Sequence, residues 1–533
     1  MRPSLRVAFL LISMTGIFGT TPGAAAQEAD TDLEAILGGF EDVDSARVDE
    51  KTGSFPEAEA STTPTENWLD RHVDILASTS LGLSYNVDPH YSSVGPPPDP
   101  GAGTYYGNLQ RLRLRSDFQA DVALPENWKL RSQFYAFYDF AYVLHGEENY
   151  TDEVLDDYQL QAEILDLWLA GSPIYWLDLK LGRQVVDWGR SDSLRITDIW
   201  NPLNNREPGL VDIEDLRLPV TMARADFFLG SWSMSALVVP EIRYDYDPPP
   251  GSDFFPVVRL DEIPDPPPGG PTKQEILASL AALEAEIFAS DPLDGRADRW
   301  GATPEYGASL TGIFSGWDIS LYLARVYQNR TTSVTNLPDL TGGALLPLDD
   351  RITMVGAGGN YTRGAWLFKA EVAFFDEIDY AFLKPNPNYQ DPTDLPYVGI
   401  HQRFSQIDWM AGVEYYGLGD VSLTLEVAHH HVIDYDPLLQ YLPNYVYRDT
   451  VDTALRVSSE FLNARLMAHA LGLVIVNDAG LQGAFLRLST EYEVSQALRI
   501  DFGYLHYFGH DQIPFDSWQR NNRLFAKFTF SFD

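Results

Sequence analysis

From about residue 72 onward, oily and ionic side chains take turns with a period of two, segment after segment. In the last of these, Asn522 to Phe532, Leu524, Ala526, Phe528, Phe530 and Phe532 fall on one face. Arg523, Lys527, Thr529 and Ser531 fall on the other. Leu112, Leu114, Phe118, Ala120 and Val122 likewise oppose Arg111, Arg113, Asp117, Gln119 and Asp121. Trp128, Leu130, Phe134, Ala136, Tyr138, Phe140 and Tyr142 are assigned one shared face. Leu177, Leu179 and Leu181 alternate with Asp178 and Lys180, and Leu498, Ile500, Phe502 and Tyr504 with Arg499 and Asp501. Successive side chains of a strand point to opposite sides, so each segment reads as a strand with one greasy and one wet face. Apolar runs such as Leu471 to Val476 are far too short to cross a bilayer as a helix.

Such strands suit a soluble sandwich or a membrane barrel, and the connections decide between them. Short turns are placed at Pro125 to Asn127, Ser172-Pro173, Gly230-Ser231, Ser315-Gly316, Arg363-Gly364, Leu418 to Asp420, Leu462-Asn463 and Val494 to Gln496. Between them lie long connections at 87–104, 145–158, 187–218, 241–303, 329–350, 379–404, 434–448 and 509–520. One connection, 477–480, is short where a long one is due. Tight turns at one end and long loops at the other are the pattern of outer-membrane barrels. The count predicts an all-β transmembrane fold, a closed antiparallel barrel of about 18 strands, within roughly 16–20. It occupies residues 71–533.

The N-terminus reads as a targeting segment. Arg2 and Arg6, a short apolar stretch and Ala24-Ala25-Ala26 predict a signal peptide over 1–26 and export to the outer membrane. Residues 27–70 are acidic and rich in Ala, Ser, Thr, Pro and Glu; they are expected to be a disordered periplasmic arm. Formal net charge is −40, and loss of Arg2 and Arg6 takes the mature chain to −42. That balance argues against nucleic acid as a partner, because phosphate binding needs Lys and Arg clusters. The chain has no cysteine, so its stability is expected from a closed hydrogen-bonded cylinder and not from disulfides. Aromatic residues make up 13% of the sequence, which fits belts of Tyr and Trp at membrane interfaces.

Two connections are too long for plain loops. In 241–303, proline-rich flanks enclose Thr272-Lys273-Gln274-Glu275, a capping box, followed by Ile276, Leu277, Leu280, Leu283 and Ile287 at helical spacing. A helix over about 272–290 is predicted, packed on the barrel mouth. The stretch 183–219 mixes Arg183, Asp187, Arg190, Asp192, Arg195, Asp198, Arg206, Glu207, Asp212, Glu214, Asp215 and Arg217 with Trp188 and Trp200. Such a mixture suits a loop folded into a polar lumen, where Arg and carboxylate pair, so 187–218 is expected to narrow the pore. An external loop held by the same pairs is the alternative. The rest of the pore lining is assigned to Arg111, Arg113, Arg115, Asp117, Lys129, Arg131, Arg499 and Asp501.

The run LGRQVVDWGRSDSLRITDIWNP, followed by DIEDLRLP, resembles the Gram-negative outer-membrane β-barrel family called domain of unknown function 1302. The LEAILGGF stretch and the whole-length layout fit as well. The resemblance implies a barrel that moves lipid-like or other hydrophobic molecules, together with an efflux-type pump and a periplasmic or lipoprotein partner. It implies no catalytic residues. The ending Phe528-Thr529-Phe530-Ser531-Phe532-Asp533 resembles the signal read by barrel-assembly machinery, with Asp533 as a departure from a terminal aromatic.

Other signals point away from chemistry. His429 and His431 share the face of Leu423, Leu425 and Val427, which suits an interfacial girdle better than a metal site. Asp291, Asp294 and Asp298 lack the spacing of a calcium loop. No G-x-S-x-G elbow, P-loop or H-E-x-x-H motif occurs. The sequence therefore predicts a porin-like, non-enzymatic transport barrel without cofactor, in contact with outer-membrane lipid. A general diffusion porin for small hydrophilic solutes is the main alternative. An outer-membrane hydrolase is the remote one.

Overall fold

A computed structural model describes residues 72–92, 95–96, 102–211, 216–256, 260–276, 299–329, 351–387, 397–441 and 444–532. The expected signal peptide and acidic arm lie outside these residues. Eighteen strands form one sheet: β1 (Val73–Tyr91), β2 (Tyr105–Leu124), β3 (Trp128–Asp139), β4 (Leu160–Ile174), β5 (Leu177–Gln184) and β6 (Val220–Leu229). They continue as β7 (Trp232–Ile242), β8 (Arg299–Phe314), β9 (Trp317–Tyr327), β10 (Arg351–Arg363), β11 (Trp366–Pro385) and β12 (Tyr397–Tyr415). The remainder are β13 (Val421–Val432), β14 (Asp449–Phe461), β15 (Leu466–Asn477), β16 (Gly480–Ser495), β17 (Leu498–Gly509) and β18 (Arg523–Phe532).

Each strand pairs antiparallel with its neighbour in sequence, and β1 pairs with β18 from Ala77 opposite Phe532 to Asn86 opposite Arg523. The sheet is thereby a closed cylinder. Closure is what hydrocarbon demands, because an unpaired strand edge would leave amides with neither water nor protein to bond. No described helix is long and apolar enough to cross a membrane.

The outer face carries the oily rows. Leu321, Leu323, Val355, Phe368, Val372, Phe374, Phe502, Phe528 and Phe530 are all exposed, the reverse of a soluble core. Aromatic residues edge this belt. Trp128, Trp232, Trp317 and Trp366 each open the strand after a short turn, and Trp176 directly precedes β5. Trp317 stacks on Phe314 at 4.3 Å, and Trp366 lies 4.3 Å from Tyr415. Indoles prefer the interface, so the row marks one membrane boundary. Both ends of the barrel chain lie at this short-turn end, which barrel convention makes periplasmic.

Three local expectations are corrected. Tyr142 does not continue the outer row of β3. Asp139 accepts from the amides of Leu112 and Ala141, the chain turns into helix α1 (Ala141–His145), and Tyr142 is buried. The β4–β5 turn is at Tyr175-Trp176, because β4 runs past Ser172-Pro173 to Ile174. The 379–404 connection shrinks to 386–396, since β11 and β12 stay paired as far as Pro385 opposite Tyr397. Further described helices include α2 (Asp152–Tyr158) and α3 (Phe515–Trp518), and residues 273–276 are helical as well. The capping box is formed, with Thr272 N donating to Glu275 at 2.7 Å and Glu275 N to Thr272 Oγ1 at 3.3 Å. The predicted helix beyond Ile276 lies outside the described residues.

The lipid-facing assignment makes a prediction. Phe528→Arg should destabilise the barrel by about 2–4 kcal/mol, the range for a cation on the lipid face near the midplane. Thr529→Arg, one residue away and lumen-facing, should change stability far less. Reversible refolding into lipid vesicles, followed by the mobility shift between folded and unfolded protein on gels, measures both.

Candidate functional site

The segment between β5 and β6 enters the cylinder and is seated on its wall by two glutamates. Glu371 of β11 accepts from the amides of Arg190 and Ser191 (2.8 Å for Ser191), and from Thr197 N at 3.2 Å and Thr197 Oγ1 at 2.8 Å. Glu426 of β13 accepts from Ser191 Oγ at 2.7 Å and from the amides of Asp192 and Ser193, both at 2.9 Å. A non-helical turn leaves its amides without main-chain partners, and buried amides must find acceptors elsewhere. Here the wall supplies them. Gly189 allows the approach: its φ is +133°, and a Cβ there would lie 3.2 Å from Glu371 Oε1.

Ion pairs frame this seat. Arg190 reaches Asp318 and Ser320 of β9, each at 2.7 Å. Lys369 of β11 bridges Asp192, at 2.8 Å, and Glu414 of β12. Behind them Trp188 packs edge-on against Trp200 at 5.0 Å and, with its ring tilted by 33°, against Tyr322 at 5.2 Å. Leu194, Ile196, Met354, Ala373 and Met410 complete a buried apolar cluster inside the barrel. Asn201 clasps the two necks of the segment: its Oδ1 accepts from Val186 N and its Nδ2 donates to Leu218 O, both at 2.8 Å.

The same segment is also tied to the far wall. Glu207 accepts from Arg111 Nε at 2.5 Å and Arg113 Nη1 at 3.2 Å, both on β2. Tyr158 of α2 donates to Arg206 O at 2.9 Å, and Tyr507 of β17 donates to Pro208 O. In a ring of eighteen strands β2 and β11 are nine places apart, hence diametrically opposed. The segment therefore bridges the lumen from wall to wall instead of only narrowing it. A second insertion backs it up. Leu203 N donates to Asp245 Oδ1 at 2.7 Å and Asn205 N to Tyr246 O at 2.7 Å. Asp253 pairs with Arg523 of β18, and Trp518 of α3 donates to Phe254 O at 2.9 Å.

Electrostatics favour keeping the bridge in place. Burial by itself would raise the Glu207 carboxyl, but Arg113 and Arg111 outweigh it and hold the group well below the usual carboxylate range. Burial likewise opposes the charge of Asp253, and Arg523 and Arg111 lower its carboxyl. Groups with depressed values stabilise the fold above the ordinary carboxylate range and lose that contribution only as pH falls through the depressed value. Mild acid should thus leave this end of the bridge attached.

The site residues expected from sequence sort into three groups. Arg190, Asp192, Arg195, Asp198, Arg217 and Asp187 belong to the bridge, where Asp198 joins Arg195 at 3.1 Å and Arg217 at 2.8 Å, and Arg217 reaches Asp187 at 2.9 Å. Arg111 and Arg113 anchor it, and Arg183 links β5 to Glu241 at 2.6 Å and Glu163 at 3.2 Å. Arg115, Asp117, Lys129, Arg131, Arg499 and Asp501 share the inner face nearer the short-turn end. There Arg115 pairs with Asp117 at 2.5 Å, Arg131 with Asp121 at 2.7 Å, and Asp501 with Arg499 at 3.4 Å and Lys527 at 3.6 Å. Trp188 is buried in the apolar cluster of the bridge, and Arg111 is buried among its ion pairs. Asp212 and Asp215 lie outside the described residues, as do Asp291, Asp294 and Asp298.

Sequence reading missed Glu371, Glu426, Lys369, Glu414 and Asp318. A signal existed for Glu426: it is a lone inward carboxylate in mid-strand with no cation two residues away on its own face. His430 also faces inward, between Asp408 at 3.0 Å and Asp452 at 3.4 Å, whereas His429 and His431 face outward onto Asp449. Among the described residues no cluster of three or more His, Asp or Glu is arranged for a metal.

Removing both seats should release the bridge. In Glu371→Ala with Glu426→Ala, several buried donors lose their acceptors, at about 1–3 kcal/mol each. Limited trypsin digestion should then cut at Arg190 and Arg195, which the native barrel protects. The strands should stay intact.

Over residues 105–532 the chain matches the family described as "Protein of unknown function (DUF1302)". No curated protein matches it. Among solved structures it is similar to OccAB1 of Acinetobacter baumannii, at 9% identity and a TM-score of 0.44, over 86% of this chain and 96% of that one. It is also similar to OccD3 (OpdP) of Pseudomonas aeruginosa, at 10% identity and a TM-score of 0.42, over 86% of this chain and 91% of that one. The outer membrane channel DcaP of Acinetobacter baumannii is a third, at 9% identity and a TM-score of 0.36, over 86% and 97%.

Proposed function

The chain belongs to the DUF1302 family, and on that premise we propose that it is a bridged outer-membrane channel that passes lipid-like or other amphipathic molecules. One observation carries the reading. The lumen is spanned by a segment seated on opposed walls, and between its ionic seats a buried apolar cluster from β6, β7 and β9 to β13 packs around it. General diffusion barrels have a polar, water-filled interior. Here Val220, Leu237, Val326, Met354, Phe375 and Val432 face inward and are buried. Further round, Leu473 of β15 packs on the same cluster, and Phe485, Leu505 and Phe525 of β16 to β18 gather on the far side.

Passage in this reading needs the bridge to shift from its seats. The ionic rows on β2, β3, β17 and β18 give the short-turn chamber its polar wall. That chamber would receive cargo from the periplasm, with the acidic arm 27–70 docking a periplasmic or lipoprotein partner of an efflux-type pump. Export through a signal peptide and assembly by the barrel machinery belong to the same proposal. The porin alternative draws on those ionic rows, since rings of charge sort small ions by sign. Selectivity in both comes from the lining, so no reaction is assigned.

Planar-bilayer recording separates the two. The native barrel should show little steady conductance, and the Glu371→Ala, Glu426→Ala pair should open a large, frequent one. A native barrel already conducting as strongly as the pair would favour the porin. For cargo, lipid analysis of cells lacking the protein should show lipid-like material retained on the inner side. An unchanged lipid profile, together with loss of uptake of small hydrophilic solutes, would reverse the assignment.

A further inference from the structure

The wall is not evenly stitched. A strand needs about 9–11 residues to cross the membrane, and β5 has 8. Its ladder with β4 ends at Leu167 opposite Arg183, although β4 runs on beside β3 as far as Leu160. On the other side the β6–β7 ladder ends at Ala223 opposite Val238, although β7 runs on beside β8 to Ile242. Toward the long-loop end, β5 and β6 therefore stop short between two strands that continue. Pro240 stands in the continuing part of β7, and a proline suits a strand edge because it has no amide to donate.

Side chains stand in for the missing ladder. Arg183 Nε donates to Ile164 O on β4 at 3.0 Å, Thr221 N on β6 donates to Glu241 of β7 at 2.6 Å, and Arg243 Nη1 donates to Pro219 O at 2.8 Å. Arg183 also pairs with Glu241 at 2.6 Å and Glu163 at 3.2 Å, and Arg243 with Glu163 at 2.6 Å. A side chain can rotate away without unzipping a strand, which a ladder bond cannot do. Both sides of this ionic layer are apolar. Val220 and Val239 lie inward in the buried cluster, while Ile164 and Val238 are exposed on the outer face. The necks of the bridge, at Val186 and Leu218, continue directly from the ends of β5 and β6, so a shift of the bridge acts on this notch.

We propose that the notch between β4 and β7 is a lateral portal, through which a lipid-like molecule leaves the lumen for the outer leaflet once Arg183 and Arg243 let go of Glu163 and Glu241. With the bridge seated the portal is shut. It rests on the channel reading for its cargo, and it adds an exit that avoids water.

The chain has no cysteine, so a single introduced one reports on its own surroundings. Val239→Cys lies on the inner face beside the notch. Val432→Cys lies in the same apolar cluster on β13, where both neighbouring strands are still bonded. The full-length barrel in phosphatidylcholine vesicles is treated with pyrene maleimide, which dissolves in hydrocarbon, or with a sulfonated maleimide, which stays in water. The preference for the pyrene reagent should be at least tenfold greater at 239 than at 432. Arg183→Met should raise pyrene labelling at 239 by about tenfold, the factor for losing one charge-assisted bond. Labelling at 432, and by the sulfonated reagent, should not change. Unchanged mobility shift on gels shows that the variant is folded, and the comparison of the two positions does not depend on it. Equal preference at 239 and 432, or sulfonated labelling that rises with the pyrene labelling, would overturn the portal. Portal labelling in a barrel that conducts like a porin would sink the channel reading alone. Lipid retained by cells lacking the protein, with no preference at 239, would sink the portal alone.

Discussion

In hydrocarbon there is no water to bond a main-chain amide, and this fixes the architecture. Every strand must have a partner on both sides, so the sheet closes through the seam of β1 with β18. Once the cylinder is closed, each residue of a strand belongs either to lipid or to the interior. The alternation that places Phe528 and Phe530 outside necessarily places Lys527 and Thr529 inside. The interior is then an enclosed space in which charges must be paired and amides capped. The bridge is built on that requirement.

The bridge reverses the usual direction of side-chain capping. In most loops a local Asp or Ser satisfies neighbouring amides. Here the amides of residues 190–193 and 197 are satisfied by Glu371 and Glu426, contributed by strands far away in sequence. Breaking a buried pair is costly because it leaves one partner uncompensated. A bridge held by two carboxylates on one wall and two arginines on the other therefore has a defined seated state. Its release is also confined to a small number of side chains.

The apolar cluster and the ionic anchors divide the labour. Trp188, Trp200 and Tyr322 give the seated state its buried area, while the carboxylates give it register. This interior core is the feature least like a water-filled pore. It also leaves a cavity beside β9 to β12, lined by both apolar and polar side chains.

Strand period, turn alternation, strand count and the lipid face were legible in the sequence, because a two-residue repeat and Gly- or Asn-bearing turns are local properties. The mixture of charges and tryptophans in 187–218 was a local signal too, but it named no partner on the wall. Local errors arose where a tertiary bond overrode the repeat, as when Asp139 captured the amides of Leu112 and Ala141 and turned Tyr142 into the core. What only the tertiary structure decided was partnership. Nothing local ties Glu207 to Arg111 or Ser191 to Glu426, since those contacts exist only once the ring has closed and set β2 opposite β11. Alternation tells which side of the wall a residue faces. Only closure tells what stands across the lumen from it.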